Sequence, residues 1–186
     1  MSGTLQTHKQ RGFTIVELLI VIVVIAILAS ISIVAYNGIQ TRAENTKTIS
    51  AVSSWAKGLQ LYKIDKGSYP AINSCLGDTN TYTNANGGVC WGASTSTTWL
   101  VQPAFIAAMK DFMGTNPQPS NRNIHTGTNE YRGAMYYATA AGGEEFRVNL
   151  LGVSGISNCP KISGLSAAYT WGSYDNGASC YYKLPQ

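Results

Sequence analysis

The chain has 186 residues and a formal charge of +4, from 13 Lys and Arg against 9 Asp and Glu, with 45% apolar side chains. That length suits one domain of roughly 150 residues beside a membrane-length segment. The composition is globular, rich in Thr, Ser, Asn, Gly and Tyr and poor in charge, as on secreted proteins; so weak a positive charge gives no support to a nucleic-acid partner.

Residues 1–12 are short and polar, carry His8, Lys9 and Arg11 but no acid, and end in Gly12. An apolar run starts at once with Phe13. Leu18 to Ala29 contains no polar side chain, and from Ile15 to Tyr36 only Glu17, Ser30 and Ser32 interrupt. A helix crossing the ~30 Å hydrocarbon layer needs about 20 apolar residues and satisfies its own backbone there. The run therefore predicts a membrane-spanning helix over 13–36. Basic residues ahead of it favour a cytoplasmic N-terminus, with the rest translocated. Glu17 stands out, because a carboxylate so close to a membrane segment costs a few kcal/mol and is a functional position by default. Two plainer readings compete. A secretory signal peptide would be cut after its apolar stretch, near Ser30-Ile31-Ser32, and a plain single-span anchor would keep the helix without further use. Neither accounts for an acid inside the start of the run.

The string Arg11-Gly12-Phe13-Thr14-Ile15-Val16-Glu17-Leu18-Leu19 resembles the processing site of type IV prepilins and the related pseudopilins. The resemblance implies that residues 1–12 are a leader, cut between Gly12 and Phe13 by a prepilin peptidase that also methylates the new Phe13 amine. It implies a helix held in membrane lipid before assembly, then packed with other copies of the chain in a helical filament through an inner-membrane assembly platform. Glu17 of an incoming subunit would neutralise the Phe13 amine of a neighbour. Buried together, such charges are tolerable only when paired, so the pair would set axial register. The alternative for Glu17 is a side chain that reaches the lipid headgroups.

No proline follows Phe13 until Pro70, so the helix is expected to continue to about Lys66. Asn37-Gly38 is its weak point, either a bend or a segment that melts in the filament. Residues 37–67 are amphipathic. Ile49, Val52, Ala56, Leu59 and Tyr62 step by three or four as a buried stripe does, with Trp55 at its edge. Leu61 and Ile64 fall off the stripe, facing neighbouring subunits or a head that wraps further round. The resemblance continues through Ala35-Tyr36, Thr41-Arg42-Ala43 and Leu61-Tyr62 to Gly67-Ser68-Tyr69-Pro70, and so covers about residues 11–70.

Residues 68–186 form the expected head. Thr97 to Gly114 reads as a short helix closed by Gly114. Tyr131–Ala140 and Glu145–Leu151 read as strands joined around Gly142-Gly143, and Ala168–Tyr174 and Ser179–Leu184 as strands joined at Asp175-Asn176-Gly177. The fold class is thus α+β: a long N-terminal helix packed by an antiparallel sheet of about four strands, as in the pilin fold. Cys75, Cys90, Cys159 and Cys180 all lie beyond the membrane segment, which suggests disulfides in an oxidising space. Three pairings are open. The local one, Cys75–Cys90 with Cys159–Cys180, closes the shortest loops, each worth about 3 kcal/mol. The second of these would staple the C-terminal segment. Spacing disfavours zinc.

No phosphate loop, dinucleotide fingerprint or metal-ligand spacing is present, so no catalytic residue, metal or cofactor is expected. His8 lies in the leader and His125 in a polar loop. Asp175-Asn176 offers one carboxylate, too few for calcium. Tyr136-Tyr137, Tyr181-Tyr182 and Trp171 read as strand packing rather than a sticky patch. The expected function is a structural subunit of a type IV pilus serving adhesion, twitching motility or DNA uptake. It would be a single-pass inner-membrane precursor and then part of a surface filament. The alternatives are a pseudopilin of a type II secretion or competence system, and a membrane-anchored extracellular enzyme or binder, which the missing catalytic set disfavours.

Overall fold

The computed structural model describes residues 12–82, 89–93, 99–125, 127, 129–138, 143–166 and 169–186. The expected leader as far as residue 11, the centre of the Cys75–Cys90 loop and the expected turn at Gly142 lie outside the described residues. Two compact units divide at Ile39 and Gln40.

Helix α1 (Ile15–Lys66) runs unbroken through Asn37 and Gly38. In its first stretch, Ser30 and Ser32 turn their hydroxyls onto the Ile27 and Leu28 carbonyls at 2.7 and 2.8 Å. Each polar interruption is thereby satisfied within the helix. At the other end the Gly67 N–H donates to the Lys63 carbonyl at 2.8 Å, and Gly67 adopts a left-handed φ of 79°. That backbone favours glycine and ends the helix; Pro70 then keeps the chain extended.

From Gln40 onward the chain builds a head. Its main sheet contains β1 (Ser74–Cys75), β4 (Ala134–Tyr137), β5 (Glu145–Leu151), β6 (Tyr169–Tyr174) and β7 (Gly177–Lys183), ordered β1-β4-β5-β7-β6 and antiparallel throughout. Side chains alternate between its two faces. Ala134, Tyr136, Phe146, Val148, Leu150, Cys180 and Tyr182 join Val52, Trp55, Ala56 and Leu59 of α1 in one core. Met135 and Tyr181 join Cys75, Tyr82, Cys90, Trp91 and Val101 in a second. That second layer includes a two-stranded ribbon of β2 (Trp91–Ala93) and β3 (Asn129–Tyr131). The sheet is therefore covered on both faces.

A ring stack crosses the first core. Trp55 lies on Phe105 at 5.5 Å, and Phe105 on Tyr136 at 5.3 Å. The Trp55 indole donates to the Pro117 carbonyl at 3.0 Å, and the Tyr136 hydroxyl to that of Pro70 at 2.8 Å. Asn45 fastens α1 to the end of β5, donating to the Leu151 carbonyl at 2.8 Å and accepting the Leu151 N–H at 2.9 Å. On the other face the Arg147 guanidinium stands 4.0 Å from the Tyr137 ring and 5.0 Å from that of Tyr181. It also donates to buried Glu145 at 2.8 Å, and the Tyr169 hydroxyl reaches the second carboxylate oxygen at 2.6 Å. Both charges are paired and bonded, which makes their burial tolerable.

Several expectations need correcting. The sheet has five strands, because two-residue β1 pairs with β4. Tyr131–Ala140 is not one strand: Gly133, with φ of 50°, separates β3 from β4, and a Cβ there would come within 2.8 Å of the Ser120 carbonyl. The second helix, α2 (Pro103–Met109), starts later than Thr97 and continues as a 3-10 turn over Lys110–Phe112. Pro103 occupies a first-turn position and holds Gln102 extended at φ −91° and ψ 117°, as a residue before proline prefers. Trp99 is instead bridged to Trp91. Trp55 is fully buried, not at an edge, whereas Leu61 and Ile64 are exposed, as their places off the stripe led one to expect. The turn lies at Asp175 and Asn176 as expected, and Gly177 already opens β7, where a Cβ would collide with the Leu150 carbonyl.

Phe105→Ala removes the middle ring of the stack and should destabilise the head by about 3–5 kcal/mol in denaturant unfolding of the detergent-solubilised chain. A loss under ~1 kcal/mol would show that the stack is dispensable. Alkali gives a second test. Burial pushes the phenols of Tyr82, Tyr136, Tyr181 and Tyr182 well above the ordinary 10.0 and that of Tyr174 up to about 12. Stability from a raised value is complete below pH 10.0 and is lost as pH climbs through the native values. Tyrosinate absorbance from these rings and loss of sheet circular dichroism should therefore appear together, above pH 10.0. Their ionisation with the sheet still intact would contradict the packing described.

Candidate functional site

The described residues begin at Gly12, the last residue of the expected leader. Gly12, Phe13 and Thr14 carry no regular secondary structure, and α1 starts at Ile15. The Leu18 N–H donates to the Thr14 carbonyl at 3.2 Å, the first bond of the helix. Thr14 is therefore the N-cap. Its hydroxyl accepts the Glu17 N–H at 3.2 Å and lies 2.8 Å from Glu17 Oε2, while the Thr14 N–H donates to the same Oε2 at 2.8 Å. Thr14 and Glu17 thus form a reciprocal capping box. Sequence reasoning missed Thr14, although the Thr-x-x-Glu spacing was there to be read.

The structure places Gly12, Phe13 and Glu17 in one short stretch, with Phe13 89% exposed. Every described side chain from Phe13 to Ile39 is likewise exposed in the isolated chain. The Glu17 carboxylate folds back on its own helix terminus and does not extend outward. The helix is long and apolar enough to cross a membrane.

The other singled-out residues lie in the head. Cys75 is bonded to Cys90 and Cys159 to Cys180, each with Cα atoms 5.9 Å apart. The first bond ties β1 to the chain entering β2, and the second ties the loop after the 3-10 turn Ile156–Asn158 to β7. His125 is packed rather than merely solvated. Its Nδ1 sits 3.2 Å from an Asp175 carboxylate oxygen, and its ring lies 5.8 Å from Tyr131 and 5.5 Å from Tyr174. Asp175 and Asn176 form the turn between β6 and β7, and the Asn176 carbonyl accepts the Gly152 N–H at 2.7 Å. Among the described residues no three His, Cys, Asp or Glu side chains converge as a metal site requires. Tyr136, Tyr181 and Tyr182 are core residues.

An apolar membrane-length helix with one acid in its first turn, continuing into a disulfide-bonded α+β head, is the architecture expected of type IV pilin-like proteins. The comparisons find likenesses in the N-terminal part of the chain. Residues 7–33 match the family described as the prokaryotic N-terminal methylation motif. The chain is similar to type II secretion system core protein G of Escherichia coli K12, at 39% identity over 70 residues, covering 38% of this chain and 48% of that protein. The protein of the same name from Pectobacterium carotovorum is 36% identical over 69 residues, covering 37% and 44%. Fimbrial protein EcpC of Eikenella corrodens is 37% identical over 68 residues, covering 37% and 44%. The chain thus matches about half the length of these relatives. No solved structure matches it.

Proposed function

We propose that the chain is a structural filament subunit, not an enzyme, made as a precursor and assembled through its N-terminal helix. Residues 1–12 are the leader, 13–36 the span and later the filament core, 37–67 the amphipathic half of the helix, and 68–186 the head. A prepilin peptidase cuts after Gly12 and methylates Phe13. The precursor crosses the cytoplasmic membrane once, N-terminus inside. An assembly platform in that membrane then moves it into a surface type IV pilus. The disulfides suit an oxidising exterior.

One observation carries this reading: Glu17 is the only charged residue from Ile15 to Ile39, a stretch of α1 whose described side chains are exposed and, apart from Ser30, Ser32 and Asn37, otherwise apolar. Lipid can cover such a surface in the precursor, and neighbouring helices can cover it in a filament. Lipid gives the acid no partner, whereas a filament does, in the Phe13 amine of the next subunit. A second reading, a pseudopilin of a secretion system, is favoured by the relatives named type II secretion system core protein G. The matched residues lie in about two fifths of this chain, so the head is what separates the two readings.

The test is recovery of the subunit from sheared cells, with mass spectrometry of its N-terminal peptide. Wild type should yield surface filaments whose subunits begin at methylated Phe13. Glu17→Ala should still insert, since the helix becomes more apolar, but its shear fraction should vanish. Each incoming subunit would leave a buried amine unpaired, a loss of about 3–5 kcal/mol. Glu17→Gln should fall between the two. A mature N-terminus after Ser32 would overturn the processing reading, and normal fibre yield from Glu17→Ala would overturn the register reading. Correct processing without surface filaments would favour the pseudopilin.

A further inference from the structure

We propose that Thr14 is the positioning residue for leader removal: its capping box with Glu17 fixes the helix start at Ile15 and so keeps the Gly12–Phe13 peptide bond in non-helical backbone. The proposal rests on the reading that the chain is cut at that bond. Hydrolysis there adds water across the peptide bond, leaving a carboxylate on Gly12 of the released leader and an amine on Phe13, protonated at neutral pH. A peptidase binds its substrate as an extended segment. A bond inside a hydrogen-bonded helix is cut only when the helix opens locally. The distance between the scissile bond and the first helical residue therefore matters to the rate.

Two observations meet at this bond. The capping box is complete, with three contacts between Thr14 and Glu17 at 2.8, 2.8 and 3.2 Å. Independently, the scissile bond stands clear of the other described residues. A Cβ built on Gly12 would meet nothing within 4 Å, and Phe13 is 89% exposed. The bond is thus both non-helical and approachable.

Why the start is held at Thr14 follows from what competes with it. Ahead of Ile15 the described residues are Gly12, Phe13 and Thr14. Phe13 offers no side-chain oxygen. Glycine caps a helix nearly as well as threonine does, so Gly12 is the rival. A helix capped by Gly12 would place Phe13 in its first turn and draw the scissile bond into the helix terminus. Thr14 wins because Glu17 reciprocates, which Gly12 cannot match: the residue three beyond it is Ile15. Loss of the threonine hydroxyl would remove that advantage and move the start upstream by two residues.

The experiment uses full-length precursor in lipid vesicles with its prepilin peptidase, following leader loss by mass and the helix boundary by backbone NMR shifts of Gly12, Phe13 and Thr14 in micelles. Wild type and Thr14→Ser should be cut between Gly12 and Phe13 at rates within about twofold of each other, because serine caps as well as threonine. Thr14→Ala should be cut at the same bond about fivefold more slowly, with residues 13 and 14 shifted towards helical values. The proposal is overturned if Thr14→Ala is cut at the wild-type rate, if Thr14→Ser is as slow as Thr14→Ala, or if slow cutting comes with an unmoved helix start. The last two outcomes would mean that the peptidase reads the threonine side chain directly. Failure of the wild type to be cut at Gly12–Phe13 is a different result, and removes the processing reading itself.

Discussion

The constraint on which the molecule depends is that a helix apolar on every side cannot remain uncovered in water. From Phe13 to Ile39 the described side chains are exposed, and hydrocarbon predominates among them. Something outside the chain must cover them, at roughly 25 cal/mol for each Å² removed from water. The polar groups of this segment are arranged to be compatible with such a cover. Ser30 and Ser32 bond back to the helix, the Thr14 N–H donates to Glu17 and the Glu17 N–H to the Thr14 hydroxyl. Glu17 carries the only charge between Phe13 and Ile39, and it is the group for which a lipid cover and a protein cover differ most.

The head meets the same requirement by internal means. Its sheet buries side chains on both faces, apolar on one and mixed with Glu145, Asn149 and Ser179 on the other, so one layer of cover is not enough. The amphipathic half of α1 supplies the first layer, through Val52, Trp55, Ala56 and Leu59. The β2–β3 ribbon with the Cys75–Cys90 disulfide contributes to the second. Where charge enters, it is matched at once: Arg147 lies against two tyrosine rings and is bonded to Glu145, whose other oxygen takes the Tyr169 hydroxyl. In the proposed filament this self-contained head would ride on a helix that is anything but self-contained.

Most of the architecture was legible in the sequence. The absence of proline from Phe13 to Pro70 and the spacing of Val52, Ala56 and Leu59 announced α1 and its buried face. The strand runs and the Asp175-Asn176 turn announced β5 to β7. What was hidden depends on distant parts of the chain. β1 is two residues long and exists because β4 lies beside it, and β2 and β3 pair across an intervening helix, so neither carries a local signature. Trp55 looked peripheral because its partner, Phe105, arrives from α2. The start of α2 is hidden for another reason: Trp99, Leu100 and Val101 extend an apolar pattern that Pro103 overrides. At the candidate site, Gly12, Phe13 and Glu17 are conspicuous by residue type and position, whereas the role of Thr14 shows only in its reciprocal bonds with Glu17 at the helix start.

The central claim is that Glu17 finds its partner in another subunit. A cryo-electron microscopy reconstruction of the native filament, at a resolution that places side chains, addresses it most directly. The account predicts a Glu17 carboxylate oxygen within about 4 Å of the Phe13 nitrogen of a neighbouring subunit, repeated at every step of the helical lattice. A carboxylate still folded onto its own Thr14, with the neighbouring Phe13 amine paired elsewhere, would contradict it.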